Sequence, residues 1–210
     1  AFDSLLKNTP QQMLIRGQNL VGDKHYSNRV VSHFLEKSAE NGIEIFRTFD
    51  ALNDFENIDF TIREVKRIGK HAQGTIAYTT SPVHDLNTWL DLAKKIEDAG
   101  ADSLAIKDMA GLLRPFDAYE LVKNLKSTLS IPIHMQTHAT TGMSTATNMK
   151  AIEAGIDNID TSISSLSMTY GHTATETMLA IFENQEREIN LDLSALEAVS
   201  YTHLTLPTKA

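Results

Sequence analysis

The chain has 210 residues, 41% of them hydrophobic and 22% charged, which suits one sizeable globular core or part of a larger domain. Its formal net charge of −8 argues against nucleic acid or an anionic membrane as the main partner, because both favour a basic surface. The absence of cysteine excludes disulfides and thiolate metal ligands. The sequence contains no apolar run of membrane-spanning length and no recognisable signal peptide, so a cytoplasmic location is expected.

Short apolar segments rich in β-branched residues recur with a period of about 30 residues, the length of a βα unit. They occupy residues 12–17, 44–50, 72–80, 103–108, 131–138 and 158–164. The intervening helical patterns at 28–42, 88–100 and 145–155 each end on glycine, the usual C-terminal stop of a helix. This alternation predicts a parallel sheet with helices covering its faces.

Two architectures fit such an alternation, an open doubly wound sheet and a (β/α)8 barrel. No glycine-rich phosphate loop follows the first strand, which argues against the nucleotide-binding form of the open sheet. In a barrel, the carboxyl ends of the strands converge on one mouth, and here those ends are polar. The residues concerned are Arg16, Asp50, Thr79, Lys107, His138 and Ser164. We therefore predict a partial barrel with about six βα units, lacking about two N-terminal units.

Residues 1–189 are assigned to this barrel and 190–198 to the start of a following helical segment. Residues 199–210 change to a composition rich in Thr, Leu and Pro, without helical or strand periodicity. Their letters resemble a translated sequencing adaptor, and the segment is interpreted as a non-native tail. A short native strand or tail is the alternative.

The segment "HMQTH" (134–138) places His134, Gln136 and His138 on one face of a strand, because alternate side chains share a face. Lys107 ends the preceding strand. A partly desolvated lysine has a lowered pKa and can act as a nucleophile or take up CO2 as a carbamate, which can ligate a metal. Single histidines and strand-end lysines are more often structural or solvated, but their combination here indicates a metal site.

Arg16 has the planar fork that suits bidentate capture of a substrate carboxylate. A salt bridge to Asp50 on the adjacent strand is the alternative. Thr169 lies in the loop after the last predicted strand, where its hydroxyl could relay a proton. A capped turn leading into a helix near Thr173 explains the loop equally well. The Met149-Lys150 pair lies in a helical pattern, so we reject it as a biotin attachment site.

Several segments together resemble the carboxyltransferase domain of biotin-dependent decarboxylases and carboxylases, most closely the α subunit of oxaloacetate decarboxylase. The resemblance covers about residues 3–198 and rests on "NTPQQMLIRGQNLVG", "FRTFDALND", "HAQGTIAYTTSPVH", "AIKDMAGLL", "HATTGM" and "DTSISSLSMTYGHTATE". Pyruvate carboxylase shares the barrel and the positions of Arg16, Lys107 and His138.

The resemblance implies a divalent metal, Zn, Mn or Co, held by an Asp, a carbamylated Lys and two His. Lys107 and His138 fall on ligand positions, and Gln136 stands where the family has the first His of the pair. The Asp belongs to a segment that precedes this chain. Gln136 is either a true variant or a read error, since His and Gln codons can differ by one base. An amide oxygen would bind zinc more weakly than imidazole.

The implied activity is decarboxylation of oxaloacetate to pyruvate with carboxyl transfer to biotin, through a metal-stabilised enolate. Arg16 and Asp50 would bind the substrate, and Thr169 would exchange a proton with biotin. The implied partners are oxaloacetate or pyruvate, a biotin carrier domain outside this chain and a second copy of the full-length protein. Membrane decarboxylase subunits are further partners if the enzyme is a sodium pump, which would place it at the membrane periphery. The alternatives are pyruvate carboxylase or transcarboxylase, a distant aldolase-type lyase, or an inactive barrel fragment.

Overall fold

The computed structural model describes residues 6–185, 189 and 191–205. Within this part of the chain, six strands alternate with helices. The strands are β1 (Gln11–Ile15), β2 (Ile43–Thr48), β3 (His71–Ala77), β4 (Ser103–Asp108), β5 (Ile133–Thr137) and β6 (Asn158–Ile159). The helices are α1 (Asn28–Glu40), α2 (Phe55–Arg67), α3 (Leu86–Asp98), α4 (Pro115–Thr128), α5 (Ser144–Glu153), α6 (Thr175–Phe182) and α7 (Leu193–Thr205). None of the helices in the described ranges is long and apolar enough to cross a membrane.

The six strands form one parallel sheet in which each strand pairs with the next along the chain, in the order β1 to β6. A doubly wound sheet would reverse its order at a switch point, whereas a barrel adds strands sequentially. The predicted partial barrel is therefore confirmed. Its carboxyl strand ends lie along one rim, which we call the mouth.

The two faces of the sheet differ in chemistry. The face turned toward the helices is apolar, and its buried side chains pack against helical residues that recur at a period near 3.6. They include Phe46, Ile76, Leu104, Ile106, Ile133 and Met135. The opposite face, which we call the inner face, carries buried polar groups, among them Arg47, Gln73, Ser103 and Lys107. The hydrophobic core thus lies between sheet and helices, and the inner face is free for polar chemistry.

Gly74 in β3 marks a close approach between the sheet and two helices. A Cβ at this position would come within 2.2 Å of Ile96 Cγ2 in α3 and 3.3 Å of Ile62 Cδ1 in α2. Both isoleucines are fully buried, so neither can move aside without disturbing the core.

We expect Gly74→Ala to lower the free energy of unfolding by about 1–3 kcal/mol, because overpacking forces side chains or backbone to shift. Urea denaturation followed by circular dichroism measures this change. The matched control is Gly22→Ala, whose Cβ would meet nothing closer than 3.4 Å. If the two variants unfolded at the same urea concentration, the close packing at Gly74 would be refuted.

The predicted strands extend too far at their carboxyl ends. The segments 12–17, 44–50 and 72–80 end as strands at Ile15, Thr48 and Ala77. After Ile15 the chain turns through Gly17, which has a φ of +50°. A Cβ at Gly17 would lie 2.5 Å from the Asn57 carbonyl oxygen, so the turn has no room for a side chain. The polar residues of the mouth therefore lie mostly on the loops that follow the strands.

The last strand shows the largest difference. The predicted strand at 158–164 is observed only over Asn158–Ile159, and Ser164 begins a short 3-10 turn. The backbone of Ser162 instead bonds to the loop before α6, accepting from Thr175 N at 2.8 Å and donating to Thr173 O at 3.0 Å. The neighbour of this segment is therefore a loop, joined to it by an isolated parallel bridge between Ser162 and Ala174.

The C-terminal segment also departs from expectation. Helix α7 ends at Thr205, so it continues into the region predicted to lack helical periodicity. Ser200 is buried, and its hydroxyl lies 2.7 Å from Ser164 Oγ and accepts from Ser165 N at 3.0 Å. Tyr201 and Thr202 are exposed, as expected for a poorly packed tail, and 206–210 lie outside the described residues. The non-native origin of 199–210 stays a prediction.

Candidate active site

Lys107 lies at the carboxyl end of β4 and is paired in register with Gln136 on β5. Its Nζ donates a 2.9 Å hydrogen bond to Gln136 Oε1 and lies 5.2 Å from the centroid of the Phe49 ring. The residue is only 5% exposed. Burial lowers the pKa of Lys107, the positive charge of Arg47 lowers it further, and Asp160 opposes both effects. A larger fraction of the Lys107 amine is therefore neutral than in a surface lysine, and the neutral amine is the nucleophilic form.

His138 lies one residue beyond β5 and is held by two hydrogen bonds. Its backbone N donates to Asp108 O at 3.0 Å, and its Nδ1 lies 2.7 Å from Tyr170 O. Because a carbonyl oxygen only accepts, Nδ1 carries a hydrogen, and in the neutral ring the lone pair is then on Nε2. His138 is thus in the tautomer that a metal ligand requires, with Nε2 as the donor atom.

Asp108 holds the loops of two neighbouring strands together. Its Oδ2 accepts from Thr137 Oγ1 at 2.9 Å and from Leu113 N at 3.0 Å, while its Oδ1 accepts from Leu112 N at 2.8 Å. The carboxylate is fully buried. Asp108 follows Lys107 and its partner Thr137 precedes His138, so this side chain sets the relative position of the two predicted ligands.

Arg47 and Asp160 form a buried ion pair that the sequence did not reveal. The Arg47 guanidinium holds both carboxylate oxygens of Asp160, with Nη2 to Oδ1 at 3.2 Å, and its Nε donates to Gln73 Oε1. The Arg47 side chain is 3% exposed and that of Asp160 27%. Because β2 is separated from β6 by three strands, the pair crosses the concave inner face. The sequence signal for this pair was the charge of Arg47 within an apolar strand, because a buried charge needs a partner of opposite sign.

His172 was also missed, although it lies within a segment that carried the resemblance. Its ring centroid is 4.5 Å from that of His138, with the planes tilted by 41°. Its Nε2 is buried without a hydrogen-bond partner among the described residues. Burial lowers the pKa of His172, and the neighbouring His138 lowers it further. Together with Arg47, Gln136 and Asp160, His172 lines a cavity of about 670 Å³ on the inner face.

Arg16 and Asp50 line a second cavity, of about 460 Å³, beside Phe49 and Met109. The expected alternative of an Arg16–Asp50 salt bridge is wrong, because Arg16 Nη1 pairs with Asp23 Oδ1 at 2.7 Å. The Asp50 carboxylate is engaged within its own loop. It accepts from Leu52 N, Asp54 N and Asn57 Nδ2 at 2.8, 3.1 and 2.8 Å. The substrate-binding roles of Arg16 and Asp50 stay predictions.

Thr169 is exposed at the tip of a tight turn, where it and Met168 adopt left-handed φ values of 49° and 60°. Gly171 closes the turn, donating to Met168 O at 2.6 Å, and a Cβ there would lie 2.4 Å from Leu166 O. The alternative, a capped turn leading into a helix near Thr173, is correct in the turn and the helix, which begins at Thr175, but its N-cap, Ala174, makes no side-chain cap. The catalytic role of Thr169 stays a prediction.

The residues described here do not by themselves form a conventional metal centre. Across 6–185, 189 and 191–205, no group of three or more His, Cys, Asp or Glu side chains could hold a metal ion. The possible metal ligands that lie near one another are two imidazoles, of His138 and His172, together with the Lys107 amine and the Gln136 amide oxygen. A metal here would therefore depend on Lys107 and Gln136, or on a ligand outside these residues.

Residues 32–202 match the model of the HMGL-like family. The chain belongs to this family. It is 46% identical over 199 residues to a pyruvate carboxylase subunit of Methanocaldococcus jannaschii, covering 95% of this chain and 35% of the relative. It is 48% identical over 200 residues to the methylmalonyl-CoA carboxyltransferase 5S subunit of Propionibacterium freudenreichii subsp. shermanii, covering 94% and 40%.

Among solved structures, the carboxyl transferase domain of Rhizobium etli pyruvate carboxylase with pyruvate and biocytin superposes with a TM-score of 0.92. Sequence identity is 35%, over 95% of this chain and 35% of that one. The predicted resemblance to the carboxyltransferase domain of biotin-dependent enzymes is confirmed. The finer resemblance to oxaloacetate decarboxylase stays a prediction. The chain spans only 35–40% of the length of these two curated relatives.

Proposed function

We propose that this chain forms part of a site that transfers a carboxyl group between biotin and pyruvate. The observation that carries the proposal is the buried amine of Lys107 at the mouth, bonded to Gln136 and followed on the next strand by His138. The relatives support it, since they are named pyruvate carboxylase and methylmalonyl-CoA carboxyltransferase subunits, and the Rhizobium etli structure holds pyruvate and biocytin. These names favour the pyruvate carboxylase or transcarboxylase alternative over oxaloacetate decarboxylase.

Arg16 binds the carboxylate of the substrate in this proposal. Its side chain is 54% exposed and faces the 460 Å³ cavity. The partner that it holds in the structure, Asp23, is 95% exposed, and an ion pair in water contributes little free energy. A substrate carboxylate can therefore displace Asp23 at small cost. Asp50 acts indirectly, because its hydrogen bonds fix the loop that forms the opposite wall of the cavity.

Biotin would supply the carboxyl group, and a divalent metal would polarise the keto oxygen of the substrate. The residues that would hold the metal are Lys107, as a carbamate after reaction with CO2, Gln136 and His138. They fit this role because the Nε2 lone pair of His138 is available while its Nδ1 is bonded. The buried, unpartnered Nε2 of His172 beside them is a further sign of a group that the described residues do not provide.

Thr169 moves a proton in this proposal. When pyruvate is carboxylated, its methyl carbon loses a proton and bonds to the carboxyl carbon, while the bond between that carbon and the biotin nitrogen breaks. The Thr169 hydroxyl is exposed at the mouth, where Oγ1 could pass the proton toward that nitrogen. The same steps in reverse decarboxylate oxaloacetate.

The proposal is tested on the complete product of the gene that contains this chain. We expect exchange of label between pyruvate and oxaloacetate that depends on biotin and stops when avidin is added. The 210-residue chain alone should not exceed the background of free zinc or manganese, because the Asp ligand and the biotin carrier are expected outside it. Avidin-insensitive exchange by the complete product would contradict the proposal, and robust biotin-dependent turnover by the chain alone would contradict the predicted division of the site.

A further inference from the structure

We propose that His172 supplies the second imidazole of the metal site, in place of the histidine that Gln136 replaces. The inference rests on the proposed carboxyltransferase function and assigns a ligand within that same site. His172 lies on the loop between β6 and α6. The two imidazoles that the resemblance implies would instead stand at positions 136 and 138, at the carboxyl end of β5.

The His172 side chain has a buried nitrogen, Nε2, without a hydrogen-bond partner among the described residues. Leaving a buried polar atom without a partner costs about 1–3 kcal/mol, so such atoms usually mark a missing water, ion or ligand. A neutral imidazole nitrogen with a free lone pair is a good ligand for zinc or cobalt.

The neighbours of His172 are the residues predicted to hold the metal. The His138 ring centroid is 4.5 Å away, and Gln136 lines the same cavity. The ring planes of the two histidines are tilted by 41° rather than stacked parallel. The two imidazoles are therefore close enough to serve the same ion. The Gln136 oxygen, in contrast, accepts a hydrogen bond from the Lys107 amine.

The loop that carries His172 is fastened to the strand that carries His138. Ala139 N donates to Gly171 O at 2.9 Å, and His138 Nδ1 donates to Tyr170 O at 2.7 Å. Within the loop, Met168 N donates to His172 O at 2.8 Å. These bonds fix the His138 ring and the backbone that carries His172 relative to each other before any ion arrives, and such preorganisation favours a metal site.

The test measures zinc and cobalt affinity by competition with a chelator, using the complete gene product and four variants. These are His172→Ala, Gln136→His, the double variant Gln136→His with His172→Ala, and the control His33→Ala, which removes an exposed imidazole on α1. We expect His172→Ala to weaken binding by about 10- to 100-fold or more, and His33→Ala to leave it unchanged. In the Gln136→His background, which should bind at least as tightly as the wild type, removing His172 should matter little.

The absorption spectrum of the cobalt-loaded protein gives a readout independent of activity. Loss of an imidazole should change its visible bands in His172→Ala and leave them intact in His33→Ala. Unchanged affinity and spectrum in His172→Ala would overturn the inference while leaving the carboxyltransferase proposal standing. A wild-type protein that bound neither zinc nor cobalt would also overturn the inference, whereas the carboxyltransferase proposal is decided by the avidin-sensitive label exchange. Restoration of tight binding by Gln136→His in the double variant would show that His172→Ala had not merely unfolded the loop.

Discussion

Replacing Lys107 with alanine should lower the rate of carboxyl transfer at least a hundredfold, that is, by roughly the effect of removing one preorganised polar group from an active site. The Lys107 amine is the buried, hydrogen-bonded cation at the mouth, and its lowered pKa leaves a larger fraction neutral at pH 7 than in a surface lysine. The neutral form is the one that can react with CO2. Alanine removes the amine together with any metal ligand formed on it.

The rate is measured as label exchange between pyruvate and oxaloacetate in the complete gene product. The matched control is Lys94→Ala on α3, where the lysine side chain is 51% exposed and its ion pairs among the described residues are with Glu97 and Asp98. We expect the control to keep its rate within about twofold, because surface ion pairs contribute at most about 1 kcal/mol to stability. A Lys107→Ala protein with a rate close to that of the control would remove the basis of the proposed function.

Replacing Asp160 with asparagine should destabilise the fold by about 3 kcal/mol or more, since it leaves the buried charge of Arg47 without its counter-ion. Arg47 is 3% exposed, and of its three hydrogen bonds to other side chains, two are to Asp160. An amide oxygen can still accept one bond but carries no charge. The measurement is urea denaturation of the 210-residue chain.

Asp59→Asn is the control for the loss of a carboxylate. Asp59 pairs with Arg63 one helical turn away, where the arginine side chain is 62% exposed, so its loss should cost about 0.5 kcal/mol or less. In a second variant, Arg47→Met is added to Asp160→Asn and should recover much of the stability, because the unpaired charge is gone. If Asp160→Asn and Asp59→Asn lowered the free energy of unfolding equally, the Arg47–Asp160 pair would contribute no more to stability than a surface pair.

The order and direction of the strands could be predicted because the β segments are short and apolar and alternate with helical patterns, three of which end on glycine. The carboxyl ends of the strands could not be predicted, because residues such as Phe49 and Thr79 suit a strand as well as a loop. Only the hydrogen bonds between strands show where a strand ends. The predicted helical segment ended at residue 198, whereas α7 ends at Thr205, because the last residues of α7 show no helical periodicity of apolar side chains.

The positions of Lys107, Gln136 and His138 at the mouth followed from strand alternation. The pairing of Arg47 with Asp160 did not, because 113 residues separate them and only the curvature of the sheet brings them together. His172 escaped notice for another reason. It is one of 8 histidines, and it lies in a loop whose backbone conformation no periodicity describes.

The register between β4 and β5 has a consequence for how such a site can be gained or lost. Lys107 lies opposite Gln136 only because Ile106 lies opposite Met135 on the other face, where both are fully buried. A slip of one residue would turn the amide toward the helices and the methionine toward the substrate cavity, at a large cost in buried apolar area. Selection for close packing between the sheet and its helices therefore also preserves the alignment of Lys107 with Gln136, even in a lineage that no longer uses the proposed site.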